Sequence, residues 1–469
     1  MKKYILLILI VGLALRLVVI NQSLWLDESI GALVVKNQTF WQILSEFPTH
    51  DNHPPLYYLT LKLWSGLFGY SEAALRSLSV IFGIGTIYMV YKIGNIFSKR
   101  LGALAAILIA TSPFHIYYSQ EARMYSMAAF LAALAFYLFL KENWKAFSLT
   151  IVALVFTDYM PVFLLPVFWL IGFISKKGKI WWKKMAISFL PLLVLGILWI
   201  PTFLIQSQGG RWLLETLPAW AKVAGGATPK QLGLVWAKFV FGRISITDKT
   251  LYYSLIGIFS IPYALAFIAA WRKRREVIPV RLYLIVPIFL GFFTSLFFPA
   301  FIYFRFLYVL PAFFLLAAWG IEKHKGKNKL LLLGIIILGN IFSWLIYATD
   351  PYQKREQWRE AVHFVESRVA SDEMVVFNFT EPFAPYQWYS NQSMNAEGLT
   401  DSIAANPIPT RKKVTDKTLN SKGVYYFEYL WELHDPGRIV ATSLGEEGFI
   451  EASSFDFPGV GIIRYLKRP

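Results

Sequence analysis

The chain has 469 residues, of which 56% are hydrophobic and only 16% charged. This is more apolar surface than a soluble core needs, so the composition indicates a polytopic membrane protein. The net charge of +17 does not indicate nucleic-acid binding, because the basic residues form short clusters between apolar runs. The lack of cysteine excludes disulfides, thiolate metal ligands and cysteine nucleophiles.

The apolar runs predict eleven membrane spans. They lie near residues 4–20, 76–97, 101–112, 124–140, 146–157, 161–175, 185–203, 251–270, 282–300, 306–321 and 330–347. With the N-terminus inside, every inner connection is basic, as the positive-inside rule requires: 99–100, 141–145, 176–184, 272–281 and 323–329. We therefore expect a multi-pass protein of the cytoplasmic membrane, with most acids and histidines that could do chemistry on the outer, extracytoplasmic face.

One apolar stretch, Leu56 to Phe68, is not counted as a span. It is short, includes Lys62, and would invert every later loop if it crossed the membrane. We predict that it is a helix lying in the outer interface, as is Ile30 to Leu44. A cleaved signal peptide is the alternative for the first apolar run, but no small-x-small site follows that run.

The composition changes near Asp350, which divides the chain into a membrane domain, 1–349, and an outer domain, 350–469. The helical pattern QWREAVHFVESRVA is followed by four runs that predict strands, MVVFNF, GVYYFEYL, RIVATSL and GIIRYL. A small α/β domain is expected. Its Trp388, Tyr389 and Trp431 are of the type that stacks on sugars and would help to choose an acceptor, although such aromatics also serve as core.

An acidic pair, Asp27-Glu28, follows the first predicted span. Carboxylates beside a lipid phase suggest chemistry on a lipid-borne substrate. On a helix, adjacent side chains diverge by about 100°, so the two acids are expected to have different roles. The alternative is a helix start at which the helix dipole favours acidic residues.

A polar cluster, HDNH, precedes a Pro-Pro pair at the start of the next helix. It contains His50, Asp51 and His53. Two alternatives stay open for this cluster. It is either a turn capped by polar side chains, or part of a divalent-cation site built from Asp27, His50, His53 and Glu121, since imidazole and carboxylate suit zinc or manganese. The spacing matches no strong metal motif.

Four further outer-face residues carry charge near the predicted membrane surface. Glu121 and Arg123 stand in SQEARMYS, where the alternative is a structural ion pair. Asp158 lies between two short spans and is equally well explained as a loop residue. Arg305 lies among aromatics in YFRFLY, where a guanidinium suits a phosphodiester or snorkels to lipid headgroups.

Five motifs occur in a fixed order: LWLDESIGA, HDNHPPLYYLTLKLW, SEAALRSLS, SPFHIYYSQEARMYS and YFRFLYVLPAF. In this order the sequence resembles the bacterial and archaeal GT-C glycosyltransferases, and is similar to protein O-mannosyltransferases and the aminoarabinose transferases of lipid A. The resemblance spans residues 1–320. It implies a polytopic α-helical membrane domain with outer interfacial helices, and an enzyme that moves a sugar from a polyprenyl-phosphate carrier to an outer-face acceptor.

The resemblance also implies roles for single residues. Asp27 takes the family position of the general base in an inverting displacement. Glu28 and Glu121 are expected as further catalytic acids, and His53, Arg123 and Arg305 as contacts of the donor phosphate. His50, Asp51, Tyr57 and Asp158 are assigned to sugar or acceptor binding. The family often has a basic residue where His53 stands, so a fixed positive charge there is in doubt.

The expected partners are a polyprenyl-phosphate-linked sugar, membrane lipids, and an acceptor that is a protein, a lipid or a polysaccharide. No cofactor is firmly implied, and a divalent metal ion stays open. The main rival within the transferases is an oligosaccharyltransferase-like or lipid-polymer-ligase activity on a longer glycan. A transporter is disfavoured because the polar residues gather on one face and no repeat is visible, and a scaffold would not need clustered acids and cations.

Overall fold

The computed structural model describes residues 2–271, 275–391 and 394–469. The chain forms two compact units. The first contains Met1–Ile20, Thr39–Gln206 and Ala224–Gln353, and the second contains Asn21–Gln38, Ser207–Val223 and Lys354–Pro469. The second unit therefore combines the C-terminal domain with the segment that carries Asp27 and Glu28. Part of the inner connection predicted at 272–281 lies outside the described residues.

Helices make up most of the described chain. They are α1 Lys2–Leu17, α2 Leu26–Asn37, α3 Phe40–Ser45, α4 Leu56–Phe68, α5 Glu72–Phe97, α6 Lys99–Thr111, α7 Pro113–Ser119, α8 Tyr125–Leu140, α9 Trp144–Thr157, α10 Leu165–Ile174, α11 Lys179–Thr216, α12 Trp220–Ala224, α13 Pro229–Phe241, α14 Lys249–Trp271, α15 Ile278–Thr294, α16 Leu310–Lys323, α17 Gly326–Thr349, α18 Trp358–Glu366, α19 Ala384–Tyr389, α20 Pro407–Thr418, α21 Trp431–His434 and α22 Ile439–Glu446. The strands are β1 Glu373–Phe377, β2 Ala396–Gly398, β3 Gly423–Phe427, β4 Ile450–Phe457 and β5 Gly461–Lys467.

An apolar helix lies at each predicted span, which confirms a multi-pass membrane protein. Within the described residues, six helical segments are long and apolar enough to cross a bilayer, or seven if α6 and α7, bent by 64° at their junction, form one span. The six are Glu72–Phe97, Lys179–Thr216, Lys249–Trp271, Arg275–Thr294, Tyr303–Lys323 and Gly326–Thr349. Because α8, α9 and the segment Met160–Ile174 are shorter apolar helices, the total of eleven stays a prediction.

The stretch between α1 and α5, for which interfacial helices are predicted, contains α2, α3 and α4. Helix α4 has the limits predicted from the sequence, Leu56–Phe68. The single helix predicted over residues 30–44 is wrong. This stretch contains the end of α2 followed by α3. The interruption is encoded locally: the Thr39 hydroxyl accepts from the Gln42 backbone N–H at 3.2 Å, and the Gln42 side chain accepts from the Thr39 N–H at 2.9 Å. This reciprocal cap begins a new helix at Phe40.

Helix α16 forms the centre of the first unit. The most apolar part of the segment Tyr303–Lys323, which ends with α16, is 89% buried, whereas that of α11 is only 6% buried. A Cβ atom at Gly320 would lie 1.8 Å from the carbonyl oxygen of Ala266, so glycine is what lets α16 and α14 approach closely. The exposed apolar side chains of α11 are those of a helix that faces lipid.

The second unit is built on a five-stranded sheet with the order β2-β1-β3-β5-β4. Strands β2, β1 and β3 are parallel, and β5 and β4 are antiparallel to their neighbours. Alternate side chains of β1 and β3 enter two cores, as strand geometry requires. One core contains Trp358, Val375, Phe377 and Phe427, and the other contains Val376, Val424, Tyr426 and Leu444.

The α/β prediction for this domain is correct, but the strand predicted at RIVATSL is wrong. These residues form helix α22. The Asp435 carboxylate accepts the backbone N–H groups of Ile439 and Val440 at 2.8 and 2.9 Å, which caps the helix start. Val440 and Leu444 then lie on one helical face and pack into the second core. Capping and packing outweigh the strand preference of β-branched residues.

Candidate active site

The HDNH motif forms a tight turn in the first unit. The Asp51 carboxylate accepts the backbone N–H of His53 at 2.8 Å and lies 2.7 Å from the Nδ1 atom of the same residue. From α11, the Gln206 side-chain amide donates to the carbonyl oxygens of Asp51 and His53 at 2.8 and 3.1 Å. The turn is therefore held from both sides before the Pro-Pro pair begins α4.

Arg123 lies against this turn. It is 3% exposed, its Nη1 donates to the Tyr58 hydroxyl at 3.0 Å, and its Nη2 lies 3.5 Å from His53 Nε2. Because a guanidinium can only donate, His53 Nε2 accepts and its Nδ1–H donates to Asp51. This assignment makes His53 a neutral link between the two charges, and Arg123 is the fixed cation that the sequence left in doubt at the histidine.

The Asp51 carboxylate is suited to stay ionised. Burial raises the pKa of Asp51, but the interactions with His53 and the charge of Arg123 lower it more, so that it lies below its usual value. An anion therefore remains beside His53 at neutral pH and keeps the imidazole oriented.

Asp158 joins the same cluster from the loop after α9. Its carboxylate accepts the Met160 backbone N–H at 3.0 Å. Burial raises its pKa, opposed by that hydrogen bond and by His53, Arg305 and Arg123. Arg305 donates to the Ala300 carbonyl oxygen at 3.1 Å. The structure thus brings together five predicted site residues of the first unit: Asp51, His53, Arg123, Asp158 and Arg305.

Glu121 occupies the buried loop between α7 and α8, where its carbonyl oxygen accepts the Arg123 backbone N–H at 2.8 Å. Sequence reasoning missed a cation near it, Arg243. The Arg243 guanidinium lies 4.8 Å from the Tyr117 ring centroid and within electrostatic range of Glu121. No local pattern links Arg243 to the Tyr117 region of the chain.

Lys238 is a second residue that the sequence analysis missed. It lies on the buried face of α13, where its ammonium donates to the Tyr252 hydroxyl at 2.8 Å and to the Ile244 carbonyl oxygen at 3.0 Å. Burial, followed by the charges of Arg243 and Lys249, lowers the pKa of Lys238 to about 7. A lysine inside the apolar run VWAKFVF was the available signal.

Two further predicted residues, His50 and Tyr57, contact side chains outside the five-residue cluster. His50 is exposed, and its Nδ1 contacts the Thr49 hydroxyl at 2.9 Å within its own turn. The Tyr57 side chain is buried, with its hydroxyl 3.4 Å from that of Ser79 on α5. Both assignments to sugar or acceptor binding stay predictions.

Among the described residues, no group of three or more His, Asp or Glu side chains has the arrangement of a metal site. The suggested set of Asp27, His50, His53 and Glu121 combines residues of both units and stays a prediction.

Asp27 and Glu28 lie in the second unit, in the first turn of α2. The residues before the helix are tied to the C-terminal domain. The Leu24 N–H donates to the Tyr389 hydroxyl at 2.7 Å, and the Arg359 N–H donates to the Ser23 hydroxyl at 3.0 Å. Glu28 is buried, whereas Asp27 is partly exposed. The exposed acid of the pair is thus the one that the resemblance assigns as general base.

The aromatics expected to bind sugar have partners in the second unit. The Lys36 ammonium of α2 lies 5.1 Å from the Trp388 ring centroid, and the Tyr389 hydroxyl accepts from Leu24. The Arg438 guanidinium lies 4.5 Å from the Trp431 ring. Trp388 and Tyr389 therefore hold the α2 segment against α19, and acceptor choice by these rings stays a prediction.

Comparison with known proteins gives a family match over part of the chain and solved structures of the same fold. The family model of dolichyl-phosphate-mannose-protein mannosyltransferases matches residues 52–205. ArnT from Cupriavidus metallidurans, in a crystal structure with undecaprenyl phosphate, aligns at 11% identity and a TM-score of 0.58, over 99% of this chain and 98% of ArnT. Comparison with curated protein sequences gives no significant match.

A second solved structure has the same fold. The archaeal oligosaccharyltransferase AglB from Archaeoglobus fulgidus, in complex with an inhibitory peptide and a dolichol-phosphate, aligns at 14% identity and a TM-score of 0.53, over 99% of this chain and 74% of AglB. These findings confirm the predicted resemblance. The chain has the fold of the GT-C membrane glycosyltransferases, with similarity to the O-mannosyltransferases and aminoarabinose transferases among them.

Proposed function

We propose that the chain transfers a sugar from a polyprenyl-phosphate carrier to an acceptor on the extracytoplasmic face of the membrane. The observation that carries this proposal is the Asp51–His53–Arg123 arrangement beside the Pro-Pro turn, since it places a fixed, desolvated cation within the region that matches the mannosyltransferase model. A buried guanidinium is suited to a phosphate group.

The proposed reaction is a direct displacement. The acceptor hydroxyl oxygen attacks the anomeric carbon while the bond from that carbon to the phosphate oxygen breaks. The electron pair leaves with the lipid monophosphate, and the Asp27 carboxylate takes the hydroxyl proton. A single displacement inverts the anomeric centre. General-base catalysis of this kind contributes about 10²–10⁴-fold to the rate.

Cations stabilise the leaving group in this proposal. Arg123 and Arg305 supply fixed positive charges. The Asp51 carboxylate orients the His53 ring, which lies beside Arg123. The two arginines accelerate the step because negative charge grows on the departing phosphate, so that they bind it more strongly in the transition state than in the ground state. The carriers named for ArnT and AglB, undecaprenyl phosphate and dolichol-phosphate, support a polyprenyl-phosphate donor.

The remaining acids have supporting roles. Asp158 is close enough to Arg123 and Arg305 to interact with their charges, so we assign it to the donor sugar on the phosphate side. Glu121 supports the position of Arg123 through the loop backbone. Glu28 is buried at the start of α2, and there we assign it to orienting the acceptor site beside Asp27.

A second candidate is transfer of a longer, lipid-linked glycan. It is favoured by the structural similarity to AglB, whose solved complexes include an acceptor peptide. The two candidates differ in the donor consumed, because an oligosaccharyltransferase-like enzyme needs a preassembled glycan and a mannosyltransferase-like one takes a single sugar.

The test is transfer of radiolabelled sugar from a panel of polyprenyl-phosphate sugars to cell-envelope fractions. Wild type is compared with Asp27→Asn and with Asp416→Asn, which makes the same change at an exposed position of the C-terminal domain. Transfer by wild type and Asp416→Asn but not by Asp27→Asn supports the proposal. Equal transfer by all three removes Asp27 as the general base, and transfer only from glycan-loaded carriers favours the second candidate.

A further inference from the structure

Glu356 is a carboxylate of the C-terminal domain that the proposed reaction does not use. One of its oxygens accepts the Trp358 indole N–H at 2.8 Å. The Tyr429 hydroxyl lies 3.1 Å from both carboxylate oxygens. The carboxylate also accepts the backbone N–H of Leu26. Three donors from separate parts of the chain thus converge on Glu356.

The hydrogen bond from the Leu26 N–H connects Glu356 to the helix that carries Asp27. Leu26 is the first residue of α2, and Asp27 is the next. The first N–H groups of a helix have no partner within the helix, so they need acceptors from elsewhere. A carboxylate at this end also interacts favourably with the helix dipole. Glu356 of the C-terminal domain therefore supplies a hydrogen-bond acceptor for the first turn of α2.

The backbone around Glu356 is firmly held. The neighbouring Gln357 N–H donates to the Pro458 carbonyl oxygen at 3.0 Å. A Cβ atom at Gly459 would lie 2.8 Å from the Glu356 Cα, which shows how closely the β4–β5 turn packs against it. The Trp358 ring is buried and stacks on Phe427, with an interplanar angle of 3°. The backbone that carries the carboxylate is therefore fixed by a hydrogen bond and by close packing.

Asp27 is close enough to Glu356 for their charges to interact. Burial raises the pKa of Glu356 to about 7, opposed by its hydrogen bonds, and the negative charge of Asp27 adds to the increase. The same Asp27 charge acts on Tyr429. The β4–β5 turn adds Pro458 and Gly459, which carry no side-chain charge. Asp27 and Tyr429 are therefore two titratable groups that face Glu356 from other elements.

We propose that Glu356 is a positioning residue that fixes the first turn of α2 and, through it, the direction of the Asp27 carboxylate. The inference rests on the proposed function of Asp27 as general base. It makes the C-terminal domain part of the catalytic apparatus, because that domain then orients the base as well as any acceptor.

The test compares Glu356→Ala with Glu356→Gln in the full-length protein. The alanine variant removes the acceptor of the Leu26 N–H, whereas glutamine keeps one carbonyl oxygen in place. We expect kcat to fall on the order of ten- to a hundredfold in Glu356→Ala, with an unchanged KM for the polyprenyl-phosphate sugar, because a misplaced base affects the chemical step alone. Glu356→Gln should recover most of kcat. Glu381→Ala, an exposed glutamate of the same domain, is the matched control.

Hydrogen exchange of the peptide containing Leu26 provides a readout independent of activity. Its amide should exchange faster in Glu356→Ala than in wild type or Glu356→Gln. If Glu356→Ala does not fold, Tyr429→Phe replaces it, since it removes one hydrogen bond to Glu356 while keeping the ring. Unchanged kcat together with unchanged exchange overturns the positioning role. If Asp27→Asn is fully active while the Leu26 amide still exchanges faster in Glu356→Ala, the proposed role of Asp27 fails. The contact of Glu356 with the start of α2 is then still supported.

Discussion

Replacing Glu356 by glutamine should change how the stability of the protein depends on pH. The pKa of this carboxyl rises from 4.5 to about 7 in the folded protein. A raised carboxyl pKa means that the folded state holds the proton more tightly than the unfolded state. The stabilising contribution is therefore complete below pH 4.5 and is lost as the pH rises through 7. Glutamine has no such titration.

The magnitude follows from the size of the shift. Each pKa unit corresponds to about 1.4 kcal/mol, so the full shift is worth about 3 kcal/mol. Glu356 is partly exposed, and solvent screening reduces this to about 1–2 kcal/mol. The stability difference between Glu356→Gln and wild type should move in favour of the variant by that amount between pH 4.5 and pH 8. The amide hydrogens of glutamine change the free energy of unfolding by the same amount at every pH, so they do not affect this pH-dependent difference.

The assay is thermal unfolding of the purified full-length protein in detergent, followed by tryptophan fluorescence at half-unit steps from pH 4.5 to 8. A change of 1 kcal/mol corresponds to about 2–4 °C in Tm for a unit of this size. The control is Glu381→Gln, at an exposed position of the same domain. Parallel Tm curves for wild type and Glu356→Gln, or a difference that moves in favour of wild type as the pH rises, would refute the reasoning.

Two further predictions concern the cluster around His53. Arg123→Lys loses the forked geometry and the bond to Tyr58, so kcat/KM for the polyprenyl-phosphate sugar should fall at least about tenfold; an unchanged value would remove Arg123 from phosphate binding. Asp51→Asn releases the His53 ring, so transfer should fall about tenfold in wild type. In a His53→Lys background the same substitution should have little effect, and equal losses in both backgrounds would contradict the orienting role of Asp51.

The membrane-facing part of the fold was largely predictable because hydropathy and charge act over short stretches of sequence. Helix α4 was predicted with its observed limits. The C-terminal domain was harder, since α22 depends on the Asp435 cap and on burial against the sheet. Strand β4 escaped prediction because its side chains are mostly exposed at a sheet edge, which gives no run of apolar residues.

The candidate site divides in the same way. The Asp51–His53 pairing is local and could be inferred from the motif. Arg243 and Glu356 could not, because their partners Tyr117 and Leu26 lie far away in sequence. Glu356 stands in the charged run QKREQW, which is typical of a solvated surface. Only the tertiary fold places this acid beside the start of α2.

The charges around His53 indicate which cation has most to offer a phosphate. Arg123 faces the ionised Asp51 through the imidazole, so part of its charge is already compensated. Asp158 is the acid whose ionisation burial opposes, and it is therefore the weaker counterion for Arg305. The cluster therefore combines two fixed cations with one firmly ionised acid, Asp51, and one acid, Asp158, whose ionisation burial disfavours. Arg123 already faces Asp51, so Arg305 is the cation with the weaker counterion, which is the electrostatic reason to expect that it is the main partner of the leaving phosphate.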